Sequence, residues 1–300
     1  MITGGDKTKG YFFVALSGIL FGCIIFGGKV FSDLGLSLIE ISTLPYVFTL
    51  FFLFPLIIQK KYWANKKNWL LLIIYGLIGG CATVSQFAGL VFGASVAVVV
   101  LLLYSQPLWT TIISFLFLKE KINKYQIVAC CLVIFGVIFL VNPSQLFESK
   151  SLLGVVFALV GGIFLSLWVV GGSVASKRKI HPITIKYFET SFGLLFIVLF
   201  FPILLFFSSD PLVVNFSLNH SLFIWVLLIG FNLFVVTIGH MVYFYGSRFI
   251  PTTSSGIILL LEPITGVLLS VIFLSQPITL PILIGGFLIL VGNVLVIVKG

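Results

Sequence analysis

Two polar residues stand directly before prolines inside long apolar stretches of the sequence. Gln106 precedes Pro107, and Glu262 precedes Pro263, 156 residues further along the chain. A carboxylate at the centre of a bilayer costs at least a few kcal/mol. Glu262 is therefore expected to be protonated, paired or placed in a wet cavity, and it is the first candidate for binding a substrate or a coupling proton.

The two prolines also predict interrupted helices. A proline inside a helix lacks the N–H that would bond the carbonyl four residues earlier, which frees the carbonyls of Leu103 and Leu259. At membrane depth such carbonyls need a partner from a neighbouring helix, water or a substrate. Matched interrupted spans are typical of transporter sites. The alternatives are that Gln106 bonds another helix at a packing kink, and that Glu262 is a neutral carboxyl bonded to helix backbone.

Other polar residues within the apolar stretches are further candidates. His240 and Tyr243 share a helix face, and His240 could titrate near neutral pH; a hydrogen-bonded contact between helices is the alternative. Lys186 and Glu189 stand three residues apart and could pair near the cytoplasmic end of their helix, which favours a topological or interfacial role over substrate binding. Whether Glu189 faces the cavity or a helix interface is left open by the sequence. The other candidates for the cavity wall are Gln86, Tyr104, Trp168 and Asn232.

The remaining acids and the cysteines predict no cofactor or metal site. Glu40 is expected near the outer membrane edge and Glu120 in a cytoplasmic loop, both as solvated or capping charges. The four cysteines all lie in apolar runs. They are interpreted as packing residues rather than as disulfides or zinc ligands.

The elements that position these residues must lie in lipid. Hydrophobic residues make up 60% of the 300 residues and charged residues 8%, against roughly 45–50% and about 25% in soluble proteins. A chain this apolar cannot cover its surface with polar groups. The composition therefore predicts an all-α polytopic membrane protein that is surrounded by the lipid bilayer.

Ten apolar stretches are long enough to be transmembrane helices. Gly89 and Gly93 are interpreted as turn signals that separate the third from the fourth, and the fifth is short. The predicted spans are 11–31, 38–58, 69–90, 93–117, 125–141, 152–174, 183–206, 222–246, 253–274 and 280–298.

The net charge of +9 is read as an orientation signal rather than a nucleic-acid surface, because the basic residues are scattered among short connections. Fifteen of the 17 basic residues fall on one side of the predicted topology. This asymmetry predicts a multi-pass protein of the cell membrane with both termini in the cytoplasm. The exceptions are Lys29 and Lys150; the fifteen are Lys7, Lys9, Lys60, Lys61, Lys66, Lys67, Lys119, Lys121, Lys124, Lys177, Arg178, Lys179, Lys186, Arg248 and Lys299.

The sequence repeats itself. A shift of 156 residues pairs Trp69 with Trp225, Pro107 with Pro263, Ser114 with Ser270 and Gly136 with Gly292, and a shift of 144 pairs Gly18 with Gly162. The repeat predicts two five-helix units, residues 11–141 and 152–298. Because five is odd, the second unit enters the membrane from the opposite side. Inverted repeats of this kind are typical of secondary transporters.

Three other function classes are less well supported. An intramembrane enzyme that modifies lipids would need clustered acids, a nucleophile or a metal site, and the acids are spread over distant spans. No nucleotide-binding loop is present for an ATP-driven pump. A channel would usually show rings of polar residues.

Several short motifs resemble the drug/metabolite transporter superfamily, in particular its EamA branch of ten-helix carriers. They are Leu261-Glu262-Pro263-Ile264, Gln106-Pro107-Leu108-Trp109, Phe117-Leu118-Lys119-Glu120-Lys121, Phe21-Gly22-Cys23 and Lys29. The sequence departs from the pattern of that branch at Pro45 and at Ser275-Gln276. The resemblance implies a carrier of small organic solutes, commonly an exporter of amino acids, metabolites or drugs. An uptake carrier, proton coupling, and a monomer or a homodimer all remain open.

Overall fold

Long apolar stretches joined by short polar connections fold into a bundle of helices. The structure is a computed structural model that describes residues 4–94, 96–140, 152–207, 210, 215–275 and 278–299. These described residues form helices and turns and contain no strand, which confirms the predicted all-α class. Lys150 and Gln276 lie outside them.

The first half of the chain forms the helices of spans one to five. Ser37 and Glu40 begin the second helix with reciprocal side-chain and backbone hydrogen bonds, a capping box. The helices are α1 (Gly4–Asp33), α2 (Leu38–Ile57), α3 (Trp69–Val91), α4 (Val96–Leu103), α5 (Gln106–Leu118) and α6 (Lys124–Leu140).

The second half forms the helices of spans six to ten. A π-helical segment, Asn232–Thr237, joins α9 to α10 within the eighth span. The helices are α7 (Leu152–Lys177), α8 (Pro182–Phe206), α9 (Leu222–Phe231), α10 (Ile238–Ser247), α11 (Thr252–Ile258), α12 (Leu261–Leu274) and α13 (Leu280–Lys299).

The observed helices match the ten predicted spans with two corrections. Nine described segments are long and apolar enough to cross a membrane, and Lys124–Phe139 is a shorter apolar helix. The first helix begins at Gly4 rather than at residue 11, because its polar first turns give no apolar signal. Gly89 does not mark a turn: α3 continues through it, and the turn lies at Gly93, with φ of 86°.

Both predicted helix breaks are present. The fourth span divides into α4 and α5 beside Pro107, and the ninth divides into α11 and α12 beside Pro263. The second parts of both spans also end alike. Lys119 and Ser275 each adopt a left-handed conformation, with φ of 54° and 52°, and their N–H groups donate to Ser114 O and Ser270 O. The two interrupted spans therefore share the same local design.

Glycines bring the first helix of each half close to the interrupted span of the other half. A Cβ at Gly18 of α1 would lie 3.2 Å from the Ile258 carbonyl oxygen, and one at Gly162 of α7 would overlap the Leu102 carbonyl oxygen. Small residues permit this close approach of helix backbones. Each half therefore packs against the broken helix of the other.

The first helices of the two halves run in opposite directions. Gly10, near the start of α1, lies 3.1 Å (measured from an ideal Cβ position) from Gly246 O at the end of α10. Gly172, near the end of α7, packs against Tyr243 in the same part of α10. The start of α1 and the end of α7 therefore lie at one end of the bundle, an arrangement that fits inverted halves.

Candidate functional site

A cavity of about 170 Å³ lies between the two interrupted spans. A water molecule occupies roughly 10–15 Å³ by the same measure, so the cavity has room for several waters or a small solute. Both halves of the chain contribute to its wall. Six of the sequence-predicted site residues line it: Gln86, Tyr104, Gln106, Trp168, His240 and Glu262.

Glu262 meets a residue from the break in the opposite half. It lies at the start of α12, where its own N–H donates to the Leu259 carbonyl over 2.9 Å. The carbonyl that Pro263 frees thus has a local backbone partner, which corrects the expectation that it needs one from a neighbouring helix, water or substrate. Tyr104, in the break between α4 and α5, donates its hydroxyl to Glu262 Oε1 over 3.2 Å.

Gln106, at the position that matches Glu262, is held by a hydrogen-bond chain. Its side chain is 2% exposed, and its Nε2 donates to Thr110 Oγ1 one turn further along α5. Thr110 in turn donates to Ser166 of α7 over 3.0 Å. Gln106 therefore borders the cavity and also ties α5 to α7 through Thr110.

Glu189 is a wall residue whose position the sequence left open between the cavity and a helix interface. Its pairing with Lys186 is confirmed, because Lys186 Nζ lies 2.7 Å from Glu189 Oε2. Both residues are buried, at 2% and 4% exposure, and Glu189 lines the cavity. Of the two positions left open for Glu189, the cavity wall is therefore the observed one. The linear position of α8 did not reveal that α3 approaches it at Gly79, where an ideal Cβ would lie 3.2 Å from Glu189 Oε1.

His240 borders the cavity with one ring nitrogen already engaged. Its Nδ1 lies 2.7 Å from the Val236 carbonyl one turn earlier. Because a carbonyl oxygen accepts only, Nδ1 carries the hydrogen, and in the neutral ring Nε2 is then an acceptor. The ring packs on Phe21 and Trp168, with centroid distances of 4.8 Å and 5.4 Å.

Trp168 forms the largest aromatic surface of the wall. Its ring stacks on Tyr243 at 5.2 Å and on Tyr75 at 6.2 Å. Such stacks fix the orientation of large side chains and add to the free energy of packing. The indole is thereby held in place before any solute enters.

Two predicted site residues are absent from this wall. Tyr243 is fully buried, and its hydroxyl donates to the Val169 carbonyl of α7 over 2.7 Å. Asn232 packs against α2: in the amide orientation that satisfies both of its ends, it donates to Pro45 O and accepts from the Thr49 N–H. Both side chains make contacts between helices. For Tyr243 this is the alternative that the sequence left open.

Sequence reasoning also missed Tyr46 and Thr83. Both line the cavity, and the Tyr46 hydroxyl lies 3.0 Å from Thr83 Oγ1. Lys186 Nζ lies 6.0 Å from the centre of the Tyr46 ring. A signal existed, since Tyr46 is a tyrosine inside an apolar span, as Tyr104 is.

The wall can bind protons or small solutes that donate hydrogen bonds. It presents two carboxylates, a histidine and several aromatic faces, and one carboxylate is already paired with a lysine. The acids that stand far apart in the sequence are thus brought together. Within the described ranges, no group of three His, Cys, Asp or Glu side chains could hold a metal ion.

Two further glutamates act as caps at opposite ends of the bundle. Glu40 is 1% exposed and accepts hydrogen bonds from the backbone of Ser37 and Ser217 and from His220. Of the two readings offered for this residue, a capping charge is therefore the observed one, and a solvated charge is not.

Glu120 caps the start of α11. It accepts hydrogen bonds from the Thr252 and Thr253 N–H groups, and Lys177 Nζ lies 2.8 Å from its Oε1. Burial by itself would raise the pKa of Glu120, but Lys177 and the hydrogen bonds outweigh burial and hold that pKa below its usual value. Through these contacts Glu120 joins the segment between α5 and α6 to both α7 and α11.

Comparison with known proteins identifies related sequences and folds. The sequence pattern of the EamA-like transporter family matches residues 8–142 and again 152–298. An uncharacterized transporter from Clostridium kluyveri is 25% identical over 298 residues, which are 96% of this chain and 92% of that protein. Human solute carrier family 35 member G1 is 30% identical over 148 residues, 47% of this chain and 39% of that protein. One crystal structure shares the fold with a TM-score of 0.73 at 15% identity, and the match covers 94% of this chain and 95% of the other.

Proposed function

Because the chain belongs to the EamA-like transporter family, we propose that it is a secondary transporter that carries small organic solutes by alternating access. The observation that carries this proposal is the cavity whose wall includes residues from the breaks of both interrupted spans. A site between two inverted units can be exposed to either membrane face when one unit moves against the other.

In this proposal Glu262 is the residue that changes its bonding during transport. It is half-buried, it lines the cavity, and its side chain accepts a hydrogen bond from Tyr104 on the opposite half. A movement of one half against the other changes that contact. A proton or a donor group of the solute can then replace the Tyr104 hydroxyl at Glu262.

We propose export as the direction and the cell membrane as the location, with both termini in the cytoplasm. The excess of basic residues on one side supports the orientation. The direction rests on the resemblance to ten-helix exporters, with uptake as the alternative. The alternative function is that of an enzyme, and the following experiment distinguishes an enzyme from a transporter.

The proposal is tested with purified protein in liposomes and a set of labelled small solutes, with and without a pH gradient. We expect at least one solute to move, and Glu262→Gln to slow it by about tenfold or more, since the amide keeps the shape but loses the ionisable group. Asp33→Asn is the matched control because Asp33 is exposed and pairs with Lys29 at the end of α1.

Two results would contradict parts of the proposal. If Glu262→Gln moves the solute with unchanged rate and pH dependence, Glu262 has no coupling role. If no solute moves while the protein hydrolyses or modifies a membrane lipid, the enzyme reading replaces the transporter reading.

A further inference from the structure

A second cavity, of about 740 Å³, opens at the end of the bundle where α1 begins and α7 ends. It shares no lining residue with the first cavity. The start of α1, the α5–α6 connection, the end of α7 and the α10–α11 connection surround it. Five cationic side chains and one carboxylate line it: Lys7, Lys121, Lys177, Lys179, Arg248 and Glu120.

The carboxylate in this second cavity is already engaged. Glu120 accepts hydrogen bonds from the backbone N–H groups of Thr252 and Thr253 and from Lys177 Nζ. Its negative charge is therefore largely compensated by donors that hold the start of α11. The cationic side chains that remain give the cavity an excess of positive charge.

Arg248, a residue of the cavity lining, is held against two aromatic rings. Its guanidinium carbon lies 4.0 Å from the centre of the Tyr245 ring and 4.5 Å from that of Phe249. Its Nε is buried, with no hydrogen-bond partner among the described residues. A guanidinium held against two rings loses little conformational freedom when its planar N–H groups bind phosphate oxygens.

Ser176 supplies a second unsatisfied donor in the same wall. The residue is 1% exposed, and within the described part of the chain its hydroxyl has no hydrogen-bond partner. A buried hydroxyl without a partner costs free energy that a bound acceptor would recover. Arg248 and Ser176 are thus two residues of the cavity lining that each have a buried donor without a partner among the described residues.

The positive charge of Arg248 affects the pKa of the nearby His181. The pKa of His181 is lowered by burial first, and then by the positive charges of Lys61 and Arg248. His181 lies in the connection between α7 and α8, next to the end of α7 that lines the cavity. The local potential is therefore positive around this end of the bundle.

We propose that this second cavity binds a phosphate group, supplied either by the headgroup of an anionic lipid or by a soluble phosphate. The cavity lies where membrane-spanning helices end, which is the level of lipid headgroups, and basic pockets between helices suit such groups. Bound phosphate would contact Lys177 and thereby the bridge from Glu120 to α11, the first part of the interrupted ninth span.

The test uses the full chain, purified in neutral detergent, and two probes. One is fluorescently labelled phosphatidylglycerol, and the other is inorganic phosphate. The pocket variant is the triple substitution Lys121→Gln, Lys179→Gln and Arg248→Gln. The control variant, Lys60→Gln, Lys66→Gln and Lys67→Gln, removes the same charge from the α2–α3 connection, which reaches the same end of the bundle because Tyr62 packs on His181 at 4.6 Å.

We expect saturable binding that weakens by about tenfold or more in the pocket variant and by no more than about twofold in the control, where exposed charges act through screened solvent. Binding of the lipid alone identifies a headgroup site, and binding of both probes identifies a site for phosphate from either source. Equal weakening in both variants, or no saturable binding of either probe, would overturn the proposal.

Two further variants keep the test decisive if the triple variant unfolds. Lys121→Gln changes one exposed side chain, and Ser176→Ala keeps every charge. Each is expected to weaken binding by about twofold to fivefold, as the loss of one hydrogen bond or contact does. Unchanged affinity in both would also overturn the proposal.

Discussion

The interrupted fourth and ninth spans have the same design and carry different chemistry. Each breaks beside a proline, and each ends in a residue of left-handed conformation. Before the proline, however, Gln106 is buried and bonded within its own helix to Thr110. Glu262, at the matching position, is half-buried and receives its hydrogen bond from the opposite half.

The two spans thus share a backbone break, whereas the side chain before the proline differs in its surroundings. The break reproduces a backbone geometry in both halves, because a proline has the same effect in each. The environment of the preceding side chain is set by what packs against it. In the first half that environment suits a neutral amide, and in the second it leaves a carboxyl group facing the cavity.

The largest effect on stability is expected when a carboxylate replaces Gln106 in the first half of the chain. Gln106→Glu would put a carboxylate beside Thr110, Ser166 and Gly256, none of which carries a positive charge. An uncompensated buried charge costs about 3–5 kcal/mol, so the thermal unfolding midpoint in detergent should fall clearly. The fall should be smaller at acidic pH, where the side chain is neutral.

Glu262→Gln is the matched comparison, since it makes the ninth span resemble the fourth. Its unfolding midpoint should stay near that of the unsubstituted protein, because the amide oxygen still accepts from Tyr104. Equal stability of Gln106→Glu and the unsubstituted protein would show that the two breaks have equivalent surroundings.

A smaller effect on stability is expected from substitutions in α1 and α7, the helices that pack against the two breaks. A Cβ at Gly162 would overlap the Leu102 backbone oxygen, whereas a Cβ at Gly18 would lie 3.2 Å from its nearest neighbours. Gly162→Ala should therefore destabilise the protein by about 1–3 kcal/mol, the usual cost of overpacking. Gly18→Ala should cost less, and thermal unfolding of both variants in the same detergent measures the difference.

If Gly18→Ala proved the more damaging substitution, the fourth span would be the more adaptable of the two interrupted helices. That result would reverse the expected order of the two substitutions. The fourth span, rather than the ninth, would then be the interrupted helix that yields more easily to an added methyl group.

The smallest effect concerns the cap that joins the first half to the start of the ninth span. The pKa of Glu120 is lowered in the folded protein, so its contribution to stability is present above about pH 4.5, its usual value, and is lost as the pH falls through the folded pKa. Glu120→Gln should lower stability by about 1 kcal/mol near neutral pH.

Unfolding measured from neutral to acidic pH tests this effect. The curves for Glu120→Gln and the unsubstituted protein should approach each other at low pH. A constant difference across the whole range would show that the lost cap acts through shape rather than charge.

Much of the fold followed from local features of the sequence. Apolar length predicted the spans, and Pro107 and Pro263 predicted the breaks, because proline acts on its own backbone wherever it stands. Glycine was less reliable. Gly93 turns the chain as expected, whereas Gly89 lies within α3 and serves as a contact for α7.

The site was predicted less completely than the fold. Six of the eight polar candidates line the cavity, while Tyr243 and Asn232 bond to neighbouring helices instead. Tyr46 was not placed there, and the sequence left Glu189 open between the cavity and a helix interface. The rotation of a helix about its axis, and hence the face that meets the cavity, depends on packing partners that are distant in sequence.

By itself, the sequence determined that this protein lies in lipid, and it determined the apolar spans, the repeat and the two breaks, since each depends on composition or covalent structure. The tertiary structure decided which side chains share the cavity, that Tyr104 bonds to Glu262 across the two halves, and that the Lys186–Glu189 pair is buried with Glu189 in the cavity wall. The shared cavity wall and the Tyr104–Glu262 hydrogen bond join residues from different helices, and the burial of Lys186 and Glu189 depends on the helices packed against α8. These contacts exist because close packing at glycines brings those helices together.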